Sequence, residues 1–114
     1  MKIESFNEDL NFSEDKIITK VILESSFTKE IRILLKKGQI MKEHQTPFPI
    51  VVHILSGEIT FGVNGANQNL AEGDIIALAG NIPHNLTAKK DSVIRLSLSK
   101  LDKAERVEEV VKTS

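Results

Sequence analysis

The sequence predicts a single all-β domain, a sandwich or barrel of short strands, followed by a C-terminal helix. Between Lys16 and Ser99 the apolar residues recur with a period close to two, and the apolar runs are short. Glycine, proline and asparagine interrupt these runs at intervals of about ten residues, which is typical of β-sandwiches and barrels. A chain of 114 residues has room for one domain of this kind.

Six apolar or alternating runs are predicted to be strands. Thr28–Leu35 alternates, with Ile31 and Ile33 on the face opposite Arg32. The run from Ile50 to Leu55 is apolar on both faces, which predicts burial on both sides. Asn64-Gly65 is a two-residue hairpin signal, because both residues tolerate a positive φ. The six runs are Ile17–Leu23, Thr28–Leu35, Ile50–Leu55, Glu58–Val63, Asp74–Ala79 and Ser92–Leu98.

The two ends of the chain differ from the alternating middle. Residues 1–15 are polar and are expected to form an arm that is loosely held or laid across the body. Residues 16–99 form the predicted barrel, and residues 100–114 have the composition of a helix. The apolar positions of this helix form one stripe, so we expect it to pack on the barrel or on a partner. The stripe consists of Leu101, Ala104, Val107 and Val111.

Composition excludes several classes of protein. Fifteen lysines and arginines balance sixteen acidic residues, for a formal charge of -1, so the chain lacks the basic surplus typical of nucleic-acid binding. The absence of cysteine excludes a disulfide scaffold, a thiol nucleophile and a cysteine-type zinc site. No apolar run is long enough to cross a membrane, and the N-terminus has no signal-peptide core. We therefore expect a soluble cytoplasmic protein with neither nucleic acid nor membrane as a partner.

Two segments bounded by glycines carry the functional information. The first runs from Gly38 through His44 to Gly57, and the second runs from Gly73 to His84. Their spacing resembles the two motifs of the cupin family, and the chain looks most like the small single-domain, RmlC-like cupins. The resemblance implies a jelly-roll barrel, also called a double-stranded β-helix, with a site in the mouth of the barrel.

The resemblance also implies where a metal would bind. Metal-binding cupins use two histidines and a glutamate from the first motif and one histidine from the second. The corresponding positions here are His44, Thr46, Ile50 and His84, so two of the four can coordinate an ion. Imidazole suits several divalent transition metals. We therefore expect His44 and His84 to hold such an ion weakly, in an incomplete metal site.

The second motif departs from the family pattern at three further positions. Ala79 replaces the usual proline, Asn81 the usual glycine and Ala88 the usual asparagine. Together, the two motifs still predict the fold, because the distance between them matches the family pattern and they lie within a sequence that alternates as β-strands do.

The same segments predict a small-molecule pocket in the barrel mouth. Its expected residues are His44, Thr46, Phe48, Ile50 and His84. Pro47 and Pro49 stiffen the connection to the buried strand, and Phe48 forms either a pocket wall or a rim that covers the core.

The remaining histidine and the nearby carboxylates are weaker candidates. Strand parity places His53 on the face opposite Ile50, and therefore outside the pocket unless a bulge reverses it. It is expected between the sheet and the helix, or at a subunit contact. Four carboxylates flank turns, where charged side chains are usually solvated, and no proton-transfer partner is identifiable for them. They are Glu43, Glu58, Glu72 and Asp74.

Three functions of different classes remain open. The first is a small-molecule binding module, the second is a metal-dependent enzyme of the dioxygenase or isomerase type with a reduced ligand set, and the third is an interaction scaffold. The barrel itself cannot select among them, because this fold supports many chemistries. The outward apolar face that contains Val51 and Leu55 predicts a homodimer, and the resemblance implies the same.

Overall fold

Nine antiparallel strands form the fold in a computed structural model, which describes residues 1–100. The strands are β1 (Ile18–Glu24), β2 (Thr28–Leu35), β3 (Ile40–His44), β4 (Ile50–Ser56), β5 (Glu58–Val63), β6 (Ala66–Ala71), β7 (Ile75–Leu78), β8 (His84–Ala88) and β9 (Ser92–Ser99). The C-terminal helix expected over residues 100–114 lies outside the described residues, apart from its first position. No helix among the described residues is long and apolar enough to cross a membrane.

The strands form two sheets that face each other. The larger sheet has the order β1-β2-β9-β4-β7, and the smaller has the order β3-β8-β5-β6. This arrangement confirms the all-β class. The six predicted runs supply all five strands of the larger sheet and β5 of the smaller one. The other three strands, β3, β6 and β8, were not predicted from the alternation.

The core lies between the two sheets and is almost entirely aliphatic. The alternation of side chains along each strand decides which residues belong to the core. Alternate residues of β2 and β4 point inward, including Ile33, Val52 and Ile54. Phe61 of β5 is fully buried at the centre, and burying a side chain of this size stabilises the fold by about 2 kcal/mol. The buried residues that form one contact cluster between the sheets are Ile33, Leu35, Ile50, Val52, Ile54, Ile59, Phe61, Leu86, Ala88 and Ile94.

Glycine and asparagine make the turns that the sequence predicted. Asn64 and Gly65 have φ values of 52° and 78°, and they join β5 to β6 as a two-residue hairpin. Gly57 has a φ of 97°, and a Cβ at this position would meet the side chain and backbone of Ser92. This position therefore requires glycine both for its conformation and for the close approach of the neighbouring strand.

The N-terminal residues lie across the outer face of the larger sheet. Arg32, which is 3% exposed, donates hydrogen bonds to three carbonyls of this segment. Its Nη1 donates to Phe6 (3.2 Å) and Glu8 (2.6 Å), and its Nη2 donates to Asp9 (3.3 Å). One buried guanidinium thus holds residues 6–9 against the sheet, which covers one part of its outer face.

Candidate functional site

The two motif histidines meet at one end of the barrel. His44 is the last residue of β3 and His84 the first of β8, and the two are paired in the antiparallel register. Their ring centroids are 4.3 Å apart, with the ring planes inclined at 59°. His84 is buried and stacks on Phe61 at 5.6 Å, whereas His44 is exposed. One imidazole is therefore fixed in the core and the other stands at the opening.

Backbone carbonyls fix the tautomer of both rings. His44 Nδ1 lies 2.8 Å from the carbonyl oxygen of Lys42, and His84 Nδ1 lies 2.9 Å from that of Ile82. A carbonyl oxygen can only accept, so each Nδ1 must carry the proton and donate it. In the neutral ring, Nε2 is then a lone-pair acceptor. Neither Nε2 has a hydrogen-bond partner among the described residues, so both are available to a ligand.

An apolar cavity of about 40 Å³ lies beside the two rings. It is lined by His44, Thr46 and His84 together with seven aliphatic side chains that both sheets contribute. The aliphatic residues are Ile33, Met41, Ile50, Val52, Leu86, Ile94 and Leu96. The Thr46 hydroxyl donates its proton to the carbonyl of Phe48 at 2.9 Å, so its oxygen can only accept a hydrogen bond from a ligand.

Two loops close over this end of the barrel and contact each other. The backbone N–H of Asn81 donates to the carbonyl of Thr46 at 2.6 Å. Gly80 lies so close to Pro47 that a Cβ would come within 2.9 Å of its carbonyl carbon. Asn81 has a φ of 62°, and asparagine tolerates this left-handed conformation better than most residues. We call the pair of loops, residues 45–49 and 79–83, the mouth loops.

The structure brings four of the five predicted pocket residues together. His44, Thr46, Ile50 and His84 line the cavity, and Phe48, which is half-buried, does not. The sequence analysis did not identify Met41, Phe61 or Gly80. Met41 lies in a strand too polar to be predicted, and Phe61 resembles any other core residue. The Gly80-Asn81 pair signalled a turn but not its contact with residues 46 and 47.

His53 and the four carboxylates are not among the residues that line the cavity. His53 is on the outer face of the larger sheet, opposite Ile75 of β7 and Arg95 of β9, as strand parity predicts. Its Nδ1 is buried and has no hydrogen-bond partner among the described residues. Glu58 accepts a hydrogen bond from Asn69, and Asp74 accepts one from the backbone of Ala71. None of the four carboxylates lines the cavity.

The residues present fit an ion held by two imidazoles. Histidines that bind metals usually donate the other ring N–H to a carbonyl or carboxylate, as both rings do here. The two ring centroids are 4.3 Å apart, so both rings can contact the same bound group. Among the described residues, no group of three histidines or carboxylates could hold an ion. The site therefore offers a ligand the Nε2 lone pairs of His44 and His84, surrounded by apolar side chains.

The outer face of the larger sheet carries a second cavity and a partly buried ion pair. An open groove of about 360 Å³ is lined largely by apolar residues, including Phe27, Val51 and Ala77. Nearby, Glu30 is 7% exposed and accepts hydrogen bonds from Arg95 Nε at 2.9 Å and from Ser97 Oγ. Burial raises the pKa of Glu30, but these hydrogen bonds and the Arg95 charge outweigh it, and the pKa is lowered overall.

Comparison with known proteins gives the same fold. The family description "Cupin domain" matches residues 31–99. The structure of an RmlC-like cupin from Desulfovibrio desulfuricans has a TM-score of 0.79 at 22% identity, covering 87% of this chain and 96% of that one. No curated protein sequence matches the chain.

Two further solved structures are similar over most of their length. A conserved protein of unknown function from Streptococcus pyogenes has a TM-score of 0.74 at 24% identity, over 87% of each chain. An uncharacterised protein with a double-stranded β-helix domain, from Klebsiella pneumoniae, has a TM-score of 0.74 at 24% identity, over 87% of this chain and 89% of that one. The family match covers more than half of the sequence, and the strand order and neighbours agree with it. The chain belongs to the cupin family.

Proposed function

We propose that this cupin binds a small molecule in the cavity between His44 and His84. The observation that carries the proposal is the pair of imidazoles whose Nδ1 atoms are hydrogen-bonded to carbonyls, so that both Nε2 lone pairs are free beside an apolar cavity. A few placed polar groups in an apolar recess are the usual composition of a ligand site. The aliphatic wall supplies binding energy, and the two rings orient the ligand.

The site also favours weak binding of a divalent transition ion by the same two nitrogens. An ion bound there would act as a Lewis acid toward an oxygen-containing ligand. A catalytic metal site usually has three or more protein ligands, whereas Thr46 and Ile50 stand at the other two motif positions. The Thr46 hydroxyl is already a donor to Phe48, and Ile50 has no ligand atom. We therefore propose that the ion binds weakly and that the site does not require it to bind a small molecule.

The metal-dependent enzyme is the second candidate, and the fixed tautomers favour it. Proton transfer argues against this candidate, because the described residues that line the cavity include no titratable group other than the two imidazoles to act as acid or base. A dioxygenase or isomerase of reduced ligand set would need His44 or His84 to move the proton. The ring that moved the proton could not bind an ion through Nε2 at the same time, which would leave one imidazole to hold the ion. We therefore rank binding ahead of catalysis.

Native mass spectrometry of untagged protein tests the proposal. We expect a small molecule or a substoichiometric ion to remain with part of the wild-type protein. The double variant His44→Ala, His84→Ala should lose it and remain folded. His53→Ala, which changes a histidine on the outer face, is the matched control and should retain it. Retention by the double variant, or loss from the control, would place the site elsewhere. One tightly held ion per chain, with turnover that requires it, would favour the enzyme.

A further inference from the structure

We infer that the cavity selects an uncharged hydrogen-bond donor on a short apolar body, in preference to an anion or to a ligand without a donor. This inference rests on the proposed function and adds the chemical class of the ligand. It follows from three properties of the lining: the direction of its hydrogen bonds, its lack of fixed charge and its size.

The free polar groups of the cavity are acceptors. Because the carbonyls of Lys42 and Ile82 hold the Nδ1 protons, the neutral rings offer Nε2 lone pairs. The Thr46 hydroxyl has its proton directed to the carbonyl of Phe48. A ligand with an O–H or N–H satisfies these acceptors. A ligand that has only acceptors would place its lone pairs against those of the imidazoles, so no hydrogen bond would form.

Among residues 1–100, which the structure describes, no lysine, arginine, aspartate or glutamate lines the cavity. The adjacent charged residues of β3, Lys42 and Glu43, have exposed side chains. A carboxylate or phosphate that entered would lose its water and gain no fixed cation, which is strongly unfavourable. A primary ammonium would likewise find no carboxylate among the lining residues. The environment therefore favours a neutral molecule.

The volume limits what can be inserted. About 40 Å³ accommodates roughly three to four water-sized groups, at about 10–15 Å³ for each. A short alcohol or a primary amide meets this limit, with its methyl or methylene groups against Met41, Leu86 and Leu96. A longer body must extend through the opening beside His44, which is exposed.

Three probes of the same shape separate these properties. Acetamide, acetone and acetate have the same number of heavy atoms: the first is a neutral donor, the second is neutral without a donor, and the third is an anion without a donor. Each is titrated into metal-free protein, and the imidazole resonances of the three histidines are followed by NMR. His53, on the outer face, serves as the internal reference.

We expect acetamide to shift the resonances of His44 and His84 with a saturable curve, and to bind about tenfold more tightly than acetone. The factor corresponds to one or two hydrogen bonds of ordinary net strength. Acetate should cause no saturable shift at neutral pH. His44→Leu should reduce the preference for acetamide over acetone, and His53→Gln should leave it unchanged.

Other outcomes overturn the inference in distinguishable ways. Acetate binding as tightly as acetamide, or acetone matching it, contradicts the ligand class but leaves the cavity as a binding site. If none of the three probes shifts His44 and His84, the inference and the proposed function both fail.

Discussion

Gly80→Ala is predicted to loosen the mouth loops and expose His84. A Cβ at position 80 would lie 2.9 Å from the carbonyl carbon of Pro47 and closer still to its oxygen, so one loop must move. The neighbour is backbone held between two prolines, and it cannot rotate aside as a flexible side chain would. The movement also lengthens the hydrogen bond from Asn81 to Thr46, now 2.6 Å.

The size of the effect follows from these contacts. Overpacking of this kind costs about 1–3 kcal/mol, and an ordinary hydrogen bond contributes about 1 kcal/mol. If about 1.4 kcal/mol of this destabilisation acts on the closed form of the mouth loops, the fraction of molecules with open loops rises about tenfold. His84, which is 4% exposed, should then react about tenfold faster with diethyl pyrocarbonate, a reagent that modifies neutral imidazole.

The assay is peptide-resolved mass spectrometry, in which each of the three histidines is followed separately. The rate at His53 should not change. Gly38→Ala is the matched control, because Gly38 has a φ of 92° and no atom within 4 Å of a new Cβ. It strains the backbone beside Ala88, away from the mouth loops. An unchanged His84 rate in Gly80→Ala, or an equal rise in the control, would refute the role of the mouth loops.

Four further predictions follow from other parts of the molecule. Any metal in protein purified without an affinity tag should be substoichiometric and removable by a chelator with little change in Tm, as elemental analysis and calorimetry can show. Glu30→Gln should lower the free energy of unfolding by about 1–2 kcal/mol at neutral pH, because a partly buried ion pair with Arg95 is lost. Because the pKa of Glu30 is lowered in the folded protein, the ion pair stabilises the fold above pH 4.5, the ordinary pKa of the group. This stabilisation is lost as the pH falls through the pKa of Glu30 in the folded protein. The free energies of unfolding of the two proteins, measured by urea titration, should therefore converge in acid. Arg32→Met should release residues 6–9 from the sheet, measured as faster hydrogen exchange of their backbone amides, and unchanged exchange there would contradict the role of the guanidinium. We also propose a homodimer through the outer face, where Phe27 and Ile75 are more than half exposed, and a monomer by light scattering at micromolar concentration would contradict it.

The sequence predicted the larger sheet better than the smaller one. All five strands of the larger sheet carry apolar alternation or an apolar run, because one face packs on the core and the other is partly covered. Strands β3 and β6 are mostly exposed, and β3, β6 and β8 all contain few large apolar residues. Ala66–Ala71, for example, has Leu70 as its one large apolar residue and is mostly exposed. Periodicity could not separate such segments from loops.

The candidate site was predictable in its residues but not in its chemistry. Motif spacing identified His44 and His84, and parity excluded His53 from the cavity. The tautomers depend on carbonyls of Lys42 and Ile82 whose directions are set by the folded backbone. The contact of residue 80 with residue 47 joins loops far apart in the chain, and no local pattern signals it.

The proposed site is tested most directly by the nitrogen NMR spectrum of the three histidine rings in metal-free protein, followed by titration with zinc. We predict that His44 and His84 both carry a proton on Nδ1 and none on Nε2. Zinc should shift the nitrogen resonances of these two rings together and leave those of His53 unchanged. The opposite tautomer at either ring, or a first response at His53, would contradict the claim that two free Nε2 lone pairs define the site.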